Sequence, residues 1–272
     1  MLVTFASLRG SPGVTTATVG FAQAAAAAGW DDVLLVEADP DGAVQRFLLP
    51  HLDPDRNLLT FGVAARRADA SSVLAEHAQP LFDQHVQPQT LIAPDLGAQI
   101  ARALEMSIDG LVDHAQNKHR LVIVDCGRLS NVSAPLFHRG HRRMLLFGCQ
   151  AHEVLSAKTL LDSAGDTAAA LDLILVGDQP YGPADVEGLG VELAGTLPYD
   201  LKGAKAISGA APVGARKYAK TPLVQALAGL LPPVPYGQGR AALMSGADNE
   251  ERIDADGQGS VDTEPVGAEE RI

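Results

Sequence analysis

The stretch LVTFASLRGSPGVTTATVGFAQAAAAAG, residues 2–29, decides how the rest of the chain is read. It opens on an apolar run at residues 2–8 and passes through a loop rich in Gly and Pro, Arg9-Gly10-Ser11-Pro12-Gly13-Val14-Thr15-Thr16. An alanine-rich segment follows and stops at Gly29. That is a strand, a tight turn and a helix with a glycine where its last turn must end. A strand running into a Gly-rich turn and a helix N-terminus makes an anion site out of backbone N–H groups and the helix dipole. A phosphate-binding loop of this kind ordinarily adds a lysine that reaches the terminal phosphates and a Ser or Thr that ligates magnesium. Thr15 and Thr16 are present, but Val14 stands at the lysine position. Taken alone, the loop reads equally well as a tight strand-to-helix turn with no ligand.

Working outward, apolar runs alternate with helical stretches. Strands are expected at residues 33–36, 90–93, 121–124, 144–147, 173–176 and 193–197, and a last helix after Thr221-Pro222 places Leu223, Leu227 and Leu230 on one face. This alternation predicts an α/β fold, a mostly parallel central sheet with helices on both faces. The second strand runs into Glu37-Ala38-Asp39-Pro40-Asp41-Gly42, and Leu121-Val122-Ile123-Val124 ends in Asp125. Acids at the carboxyl ends of parallel strands face the crevice where open α/β sheets bind ligands. Asp125 is where such a sheet presents an acid to magnesium, but a strand ending in Asp is common in any α/β protein and gains weight here only from following the loop in order. Glu37 and Asp39 read equally as a solvated turn.

Length, composition and charge set bounds. A chain of 272 residues with 46% hydrophobic residues can bury one large core. The net charge is −12, and from Tyr236 onward nine acidic residues against three arginines supply −6 of it. That segment is rich in Gly, Asp and Glu with almost nothing to bury, so the division expected is an ordered domain over residues 1–235 and an acidic disordered tail over 236–272. Pro232, Pro233 and Pro235 mark the boundary. No apolar stretch suggests a signal peptide or a membrane span, and the chain is expected to be cytoplasmic. Cys126 and Cys149 read as reduced core thiols, and the histidines, including the pairs His114/His119 and His138/His141, as structural or surface residues.

Four elements in order carry a resemblance to the ParA/MinD, or deviant Walker A, P-loop ATPases over nearly all of residues 1–231. They are Arg9 to Thr16, Glu37 to Gly42, Val124-Asp125-Cys126-Gly127 and Gly195-Thr196-Leu197-Pro198-Tyr199-Asp200. The resemblance implies a P-loop NTPase fold and a site for ATP or ADP with Mg²⁺, using Arg9, Gly10, Ser11, Pro12, Gly13, Val14, Thr15 and Thr16 for the nucleotide and Thr15 and Asp125 for the metal. It also implies that, in an active member, Glu37, Asp39 and Asp125 carry the catalysis.

The departures fall on those same residues. Arg9 replaces the family's signature lysine, Val14 its second lysine and Glu37 its water-orienting aspartate, Pro12 removes a loop N–H, and Leu175-Val176-Gly177-Asp178 lacks the usual adenine-reading asparagine. The expected function is thus that of a degenerate ParA/MinD-like protein. It would act as a homodimer or on a protein partner, positioning a complex in cell organisation, partitioning or secretion, with weak or absent ATP hydrolysis. Some branches that lack the lysine, such as the TadZ/CpaE-like proteins, are similar in this respect.

The alternative is an active ParA-type ATPase of chromosome or plasmid partitioning. It would bind DNA non-specifically through His138, Arg139, His141, Arg142 and Arg143, or through Lys202, Lys205, Arg216, Lys217 and Lys220. Each patch reads more readily as a solvated face, since no aromatic residues interleave with the bases. A MinD-like membrane contact is not expected, because the C-terminus is acidic rather than basic and amphipathic.

Overall fold

In the computed structural model the described residues are 1–9, 12–42, 44–82, 85–116, 120–165, 170–209 and 215–234. The apolar runs become strands of one sheet: β1 (Leu2–Ser7), β2 (Asp32–Glu37), β3 (Gln79–Phe82), β4 (His85–Leu91), β5 (Arg120–Arg128), β6 (Arg142–Gly148), β7 (Leu171–Val176) and β8 (Gly195–Leu197). Their order across the sheet is β3-β4-β2-β5-β1-β6-β7-β8. Every neighbouring pair is parallel except β3 and β4, which run antiparallel.

Central parallel strands are covered on both faces, which is why β1 is buried along its whole length and reads as continuous apolar sequence. Successive side chains point to opposite faces. Leu34, Val36, Val122 and Val124 enter one cluster, while Val33, Leu35, Leu121 and Ile123 enter the other. The first face is covered by α3 (Leu58–Ala65), α4 (Ala70–His77), α5 (Gly97–Ala115) and α7 (Ala151–Ala164), with the short α6 (Ala134–Phe137) and α8 (Pro183–Gly188). The second is covered by α1 (Val14–Ala27), α9 (Leu201–Ile207) and α11 (Pro222–Gly229), with α2 (Val44–Leu48) and α10 (Ala215–Tyr218) completing the element order.

α1 ends as its glycine predicts. Gly29 sits at φ 95°, and the N–H groups of Gly29 and Trp30 return to the carbonyls of Ala26 and Ala25 at 3.1 Å each. Phe21 of α1 meets Phe5 of β1 edge to face at 5.1 Å, which fixes the helix over its own strand. Leu223 and Leu227 of α11 and the adjoining Leu230 are buried against the same cluster, as their spacing predicts.

One expected strand is displaced. The strand anticipated at residues 90–93 is β4, which ends at Leu91 and pairs with β3, an element the sequence pattern did not announce. An edge pair containing Pro80 and Pro88 lacks the apolar run that betrays a buried strand. The remaining strand expectations fall within one to four residues of the observed ends.

β1 lies where the winding of the sheet reverses: β5, β2, β4 and β3 lie to one side of it and β6, β7 and β8 to the other. A crevice therefore opens beyond the carboxyl ends of β1 and β5. At the opposite edge, Arg120 pairs with Asp32 at 2.9 Å and touches Nδ1 of the buried His114 at 2.9 Å. Burial, aided by the Arg120 charge, lowers the pKa of His114. The N–H of Leu2 donates to Nδ1 of His141 at 3.0 Å. Both histidines thus serve the scaffold, and Cys126 and Cys149 are buried free thiols.

Candidate functional site

Gly13 closes the loop at φ 87°, ψ 36°, a left-handed conformation that only glycine adopts without strain, and hands the chain directly to α1. The N-cap residue Gly13 provides no side-chain cap for the first turn of that helix. The amides of that turn stand at the positive end of the helix dipole, where an anionic ligand is favoured. Thr15 and Thr16 follow in this turn, and both line a cleft of about 700 Å³ together with Ser7, Asp39, Asp41, Gly127, Arg128 and Lys205. Gly10 and Ser11 lie outside the described residues.

Asp125 does not line this cleft itself but stands behind its wall, on β5 in register with Phe5 of β1 and next to Gly127 and Thr15, which do line it. It is fully buried. Its Oδ1 accepts from the N–H of Gly127 at 3.0 Å, whereas Oδ2 has no hydrogen-bond partner among the described residues. Burial lifts its pKa from 3.8 to about 7; the Thr15 hydroxyl and the Gly127 amide oppose the rise, and the Asp39 and Glu37 charges add to it.

Asp39 projects into the same cleft. Its Oδ1 accepts from the N–H of Asp41 at 2.9 Å, and partial burial raises its pKa. The carboxyl packs against Gly127, where a Cβ would meet it at 2.1–2.3 Å. Gly127 itself sits at φ 56°, so it serves both the turn after β5 and the seating of Asp39. We expect Gly127→Ala to lose about 1–3 kcal/mol of stability in urea unfolding, from left-handed strain and overpacking, and to displace Asp39. Unchanged stability would show that the carboxyl swings aside at no cost.

Glu37 behaves differently from its two neighbours. It is fully buried, and both carboxylate oxygens are engaged: Oε1 by the N–H of Gln45 at 2.9 Å and Oε2 by the N–H of Ala93 at 3.0 Å. Burial raises its pKa against those two amides. The side chain ties the turn carrying Asp39 to the segment after β4. Like Asp125 it is absent from the cleft wall, and it differs from Asp125 in having both oxygens engaged.

The remaining loop residues divide. Val14 forms part of the cleft wall but is buried in the apolar cluster under α1, and Arg9 is exposed outside the cleft wall. Pro12 lines a second, apolar hollow of about 320 Å³ on the other side of Gly13 and Thr16, enclosed by Val176, Leu197, Pro198, Ala204 and Leu223 with the exposed Tyr199 beside them. Asp200 organises its rim by accepting from Gly203 N–H at 2.8 Å and Leu223 N–H at 3.2 Å, which caps α9 and ties it to α11. Gly13, Thr16 and Ala204 border both spaces, so a polar and an apolar compartment meet at the loop. Asp178, at the position of the expected adenine-reading residue, is exposed.

Arg128 and Ser7 were not singled out from the sequence, and Lys205 was noted only as part of a basic patch. The signal for Arg128 was its place three residues beyond Asp125; nothing local marks Ser7. The other basic cluster is occupied with the scaffold: Arg142 pairs with Asp172 at 2.8 Å, Arg139 with Asp109 at 3.6 Å, and Arg143 donates to the carbonyl of Ala170. Lys202, Lys205, Lys217 and Lys220 are exposed. Among the described residues no group of three or more His, Cys, Asp or Glu side chains converges to hold a metal, and no helix is long and apolar enough to cross a membrane.

No protein-family model matches the sequence, and no curated protein matches it. Solved structures do match in fold. A ParA family ATPase from Chlorobium tepidum TLS superposes with a TM-score of 0.68 at 15% identity, over 84% of this chain and 97% of that one. The septum site-determining protein MinD of Pyrococcus horikoshii OT3, complexed with Mg-ADP, gives 0.64 at 18% identity, over 84% and 93%. A MinC:MinD cell division protein complex from Aquifex aeolicus gives 0.55 at 16% identity, over 87% and 99%. The chain therefore has the P-loop α/β fold of the ParA/MinD-type ATPases.

Proposed function

We propose that this chain, built on the fold of ParA/MinD-type ATPases, binds ATP or ADP in the cleft at Gly13–Thr16 and acts as a nucleotide-responsive binding protein with slow or no hydrolysis. The observation that carries the reading is the pairing of the α1 N-terminus and Thr15 with a neighbouring, fully buried Asp125 whose Oδ2 has no partner among the described residues. A buried unpaired carboxylate oxygen is costly unless something is meant to meet it. The two compartments suit a nucleotide, with phosphates at the polar cleft and the base in the apolar hollow. The MinD structure complexed with Mg-ADP supports the choice of ligand.

Two protein ligands suit a magnesium ion that takes the rest of its shell from phosphates and water, and Thr15 and Asp125 would hold it. When bound, the metal would neutralise charge on the phosphate chain. The protein's own part is to hold that chain on backbone amides and to keep Asp39 and Asp41 at the cleft wall. With Val14 buried in the core cluster, the loop offers no ammonium to stabilise a transferring phosphoryl group, which favours occupancy over turnover.

The reading extends to partners. Nucleotide occupancy would favour a homodimer or a complex with another protein, as MinD of Aquifex aeolicus is found in complex with MinC. The role would be one of cell organisation, partitioning or machinery positioning within the cytoplasm. DNA binding is the less favoured alternative: Arg139, Arg142 and Arg143 of one basic patch are engaged within the fold, which leaves the exposed Lys202, Lys205, Lys217 and Lys220 as the surface on which it would have to rest.

Isothermal titration with ATP and ADP in the presence of magnesium tests the proposal. Binding by the wild type, lost in Thr15→Ala and in Asp125→Ala, is the expected result; no heat from either nucleotide would refute the binding reading. Phosphate release as fast as an active ParA-type enzyme's, abolished by Asp125→Ala, would refute the slow-turnover part.

A further inference from the structure

We infer that Arg128 and Lys205 together supply the cationic contacts to the bound phosphate chain that Val14 cannot, so that charge lost from the loop is restored by the end of β5 and by α9. The inference rests on nucleotide binding in this cleft and names the residues that make it workable.

The electrostatics of the cleft call for such groups. A di- or triphosphate brought against Asp39 and Asp41 meets like charge, and the loop residues that line the cleft among those described answer with backbone dipoles and the Thr15 and Thr16 hydroxyls, none of them a cation. Among the described residues, Arg128 and Lys205 are the Lys or Arg side chains that line this cleft. Both are exposed, and neither has an ion-pair partner among the described residues, whereas Arg102, Arg120, Arg139, Arg142 and Lys158 each pair with a carboxylate. Two cations at the wall of an acidic cleft, without a salt bridge among the described residues and with Arg128 near enough to act on Asp39, suit an anion that arrives with the ligand.

Their backbones are held while their side chains remain available. Arg128 stands in register with Ser7 of β1, its carbonyl accepts from Ser133 Oγ at 3.5 Å, and the next residue, Leu129, donates to the Ser7 carbonyl at 2.8 Å. Its charge acts on Asp39, against the rise that burial imposes on that carboxyl. Lys205 projects from a helix fixed at its start by Asp200 and near its end by the buried Ile207. Ala204 next to it borders both compartments, so Lys205 sits where the polar cleft and the apolar hollow meet. A guanidinium forks onto phosphate oxygens and an ammonium acts as a point charge, so the two are complementary rather than redundant.

The test is titration of the full chain with Mg·ATP, using adenosine as a probe without phosphates, on wild type, Arg128→Gln, Lys205→Gln and the double variant. We expect Mg·ATP affinity to fall about 10-fold in each single variant and about 100-fold in the double, with adenosine affinity unchanged. The salt dependence of Mg·ATP binding should weaken in parallel. Arg128→Lys and Lys205→Arg should keep most of the affinity, and all melting temperatures should stay at the wild-type value. If the wild type binds Mg·ATP and the double variant binds within about 3-fold of it, this inference fails while nucleotide binding stands. Equal losses for adenosine, or losses that follow a lowered melting temperature, would also overturn it in favour of a structural role. A wild type that binds neither probe overturns both readings.

Discussion

Replacing Asp125 by asparagine will stabilise the ligand-free protein by about 2–4 kcal/mol above pH 7 while removing its magnesium-dependent nucleotide binding. The carboxyl titrates near 7 instead of 3.8 because it is fully buried. Each pH unit of that displacement corresponds to about 1.4 kcal/mol. The sign follows from the raised value: the protonated acid favours the fold, so its contribution is complete below 3.8 and is lost as pH rises through about 7. Asparagine keeps the acceptor for the Gly127 amide and carries no charge to desolvate. The advantage of the variant over wild type should open between those two pH values and level off above the higher one.

Urea unfolding across that range, with chelator and without nucleotide, measures it. A variant less stable than wild type throughout would mean that Asp125 Oδ2 is satisfied in solution, and the main support for the ligand site would go. The expected trade of stability against binding is the pattern of a group kept for function.

Glu37→Ala should cost about 3–5 kcal/mol, the largest loss expected from a single polar side chain in this fold. Its two oxygens bind the N–H groups of Gln45 and Ala93 in a fully buried position, so truncation strands two backbone donors and leaves a cavity. The residues released are those of the turn after β2, and Asp39 lies within it. Nucleotide affinity should therefore fall together with stability, and Glu37→Gln should lie between wild type and alanine because it retains one acceptor. Chemical denaturation of the three proteins at neutral pH decides the matter. A loss below about 1 kcal/mol for alanine would show that water replaces the carboxylate and that Glu37 is no brace.

These two acids show where reading by pattern stops. Glu37 and Asp125 stand in register on neighbouring strands and look alike in sequence, yet one has both oxygens engaged and the other has one without a partner among the described residues. The difference depends on the segments around residues 45 and 93, which are distant along the chain. Lys205 and Ser7 were invisible as site residues for the same reason, since α9 reaches the cleft only by packing on α1 and α11. The basic run around Arg142 was legible as charge but not as partnership, because Asp172, across the sheet on β7, decides its fate. The antiparallel β3 and β4 pair was missed because an edge strand needs no apolar run.

What the amino-acid sequence determined by itself was periodic and local. Branched aliphatic runs buried on both faces require a parallel sheet. Gly13 and Gly29 bracket α1 because only glycine takes the left-handed conformations those turns demand. Asp125 follows the apolar run 121–124, and its place near the carboxyl end of that strand was readable from the run alone. Tertiary structure decided which acids keep a free oxygen, which cations keep a free charge, and that a polar cleft and an apolar hollow meet at one loop. Those properties depend on burial and on partners far apart in the chain, and a carboxylate's pKa and a cation's availability take their values only once the surrounding segments have packed.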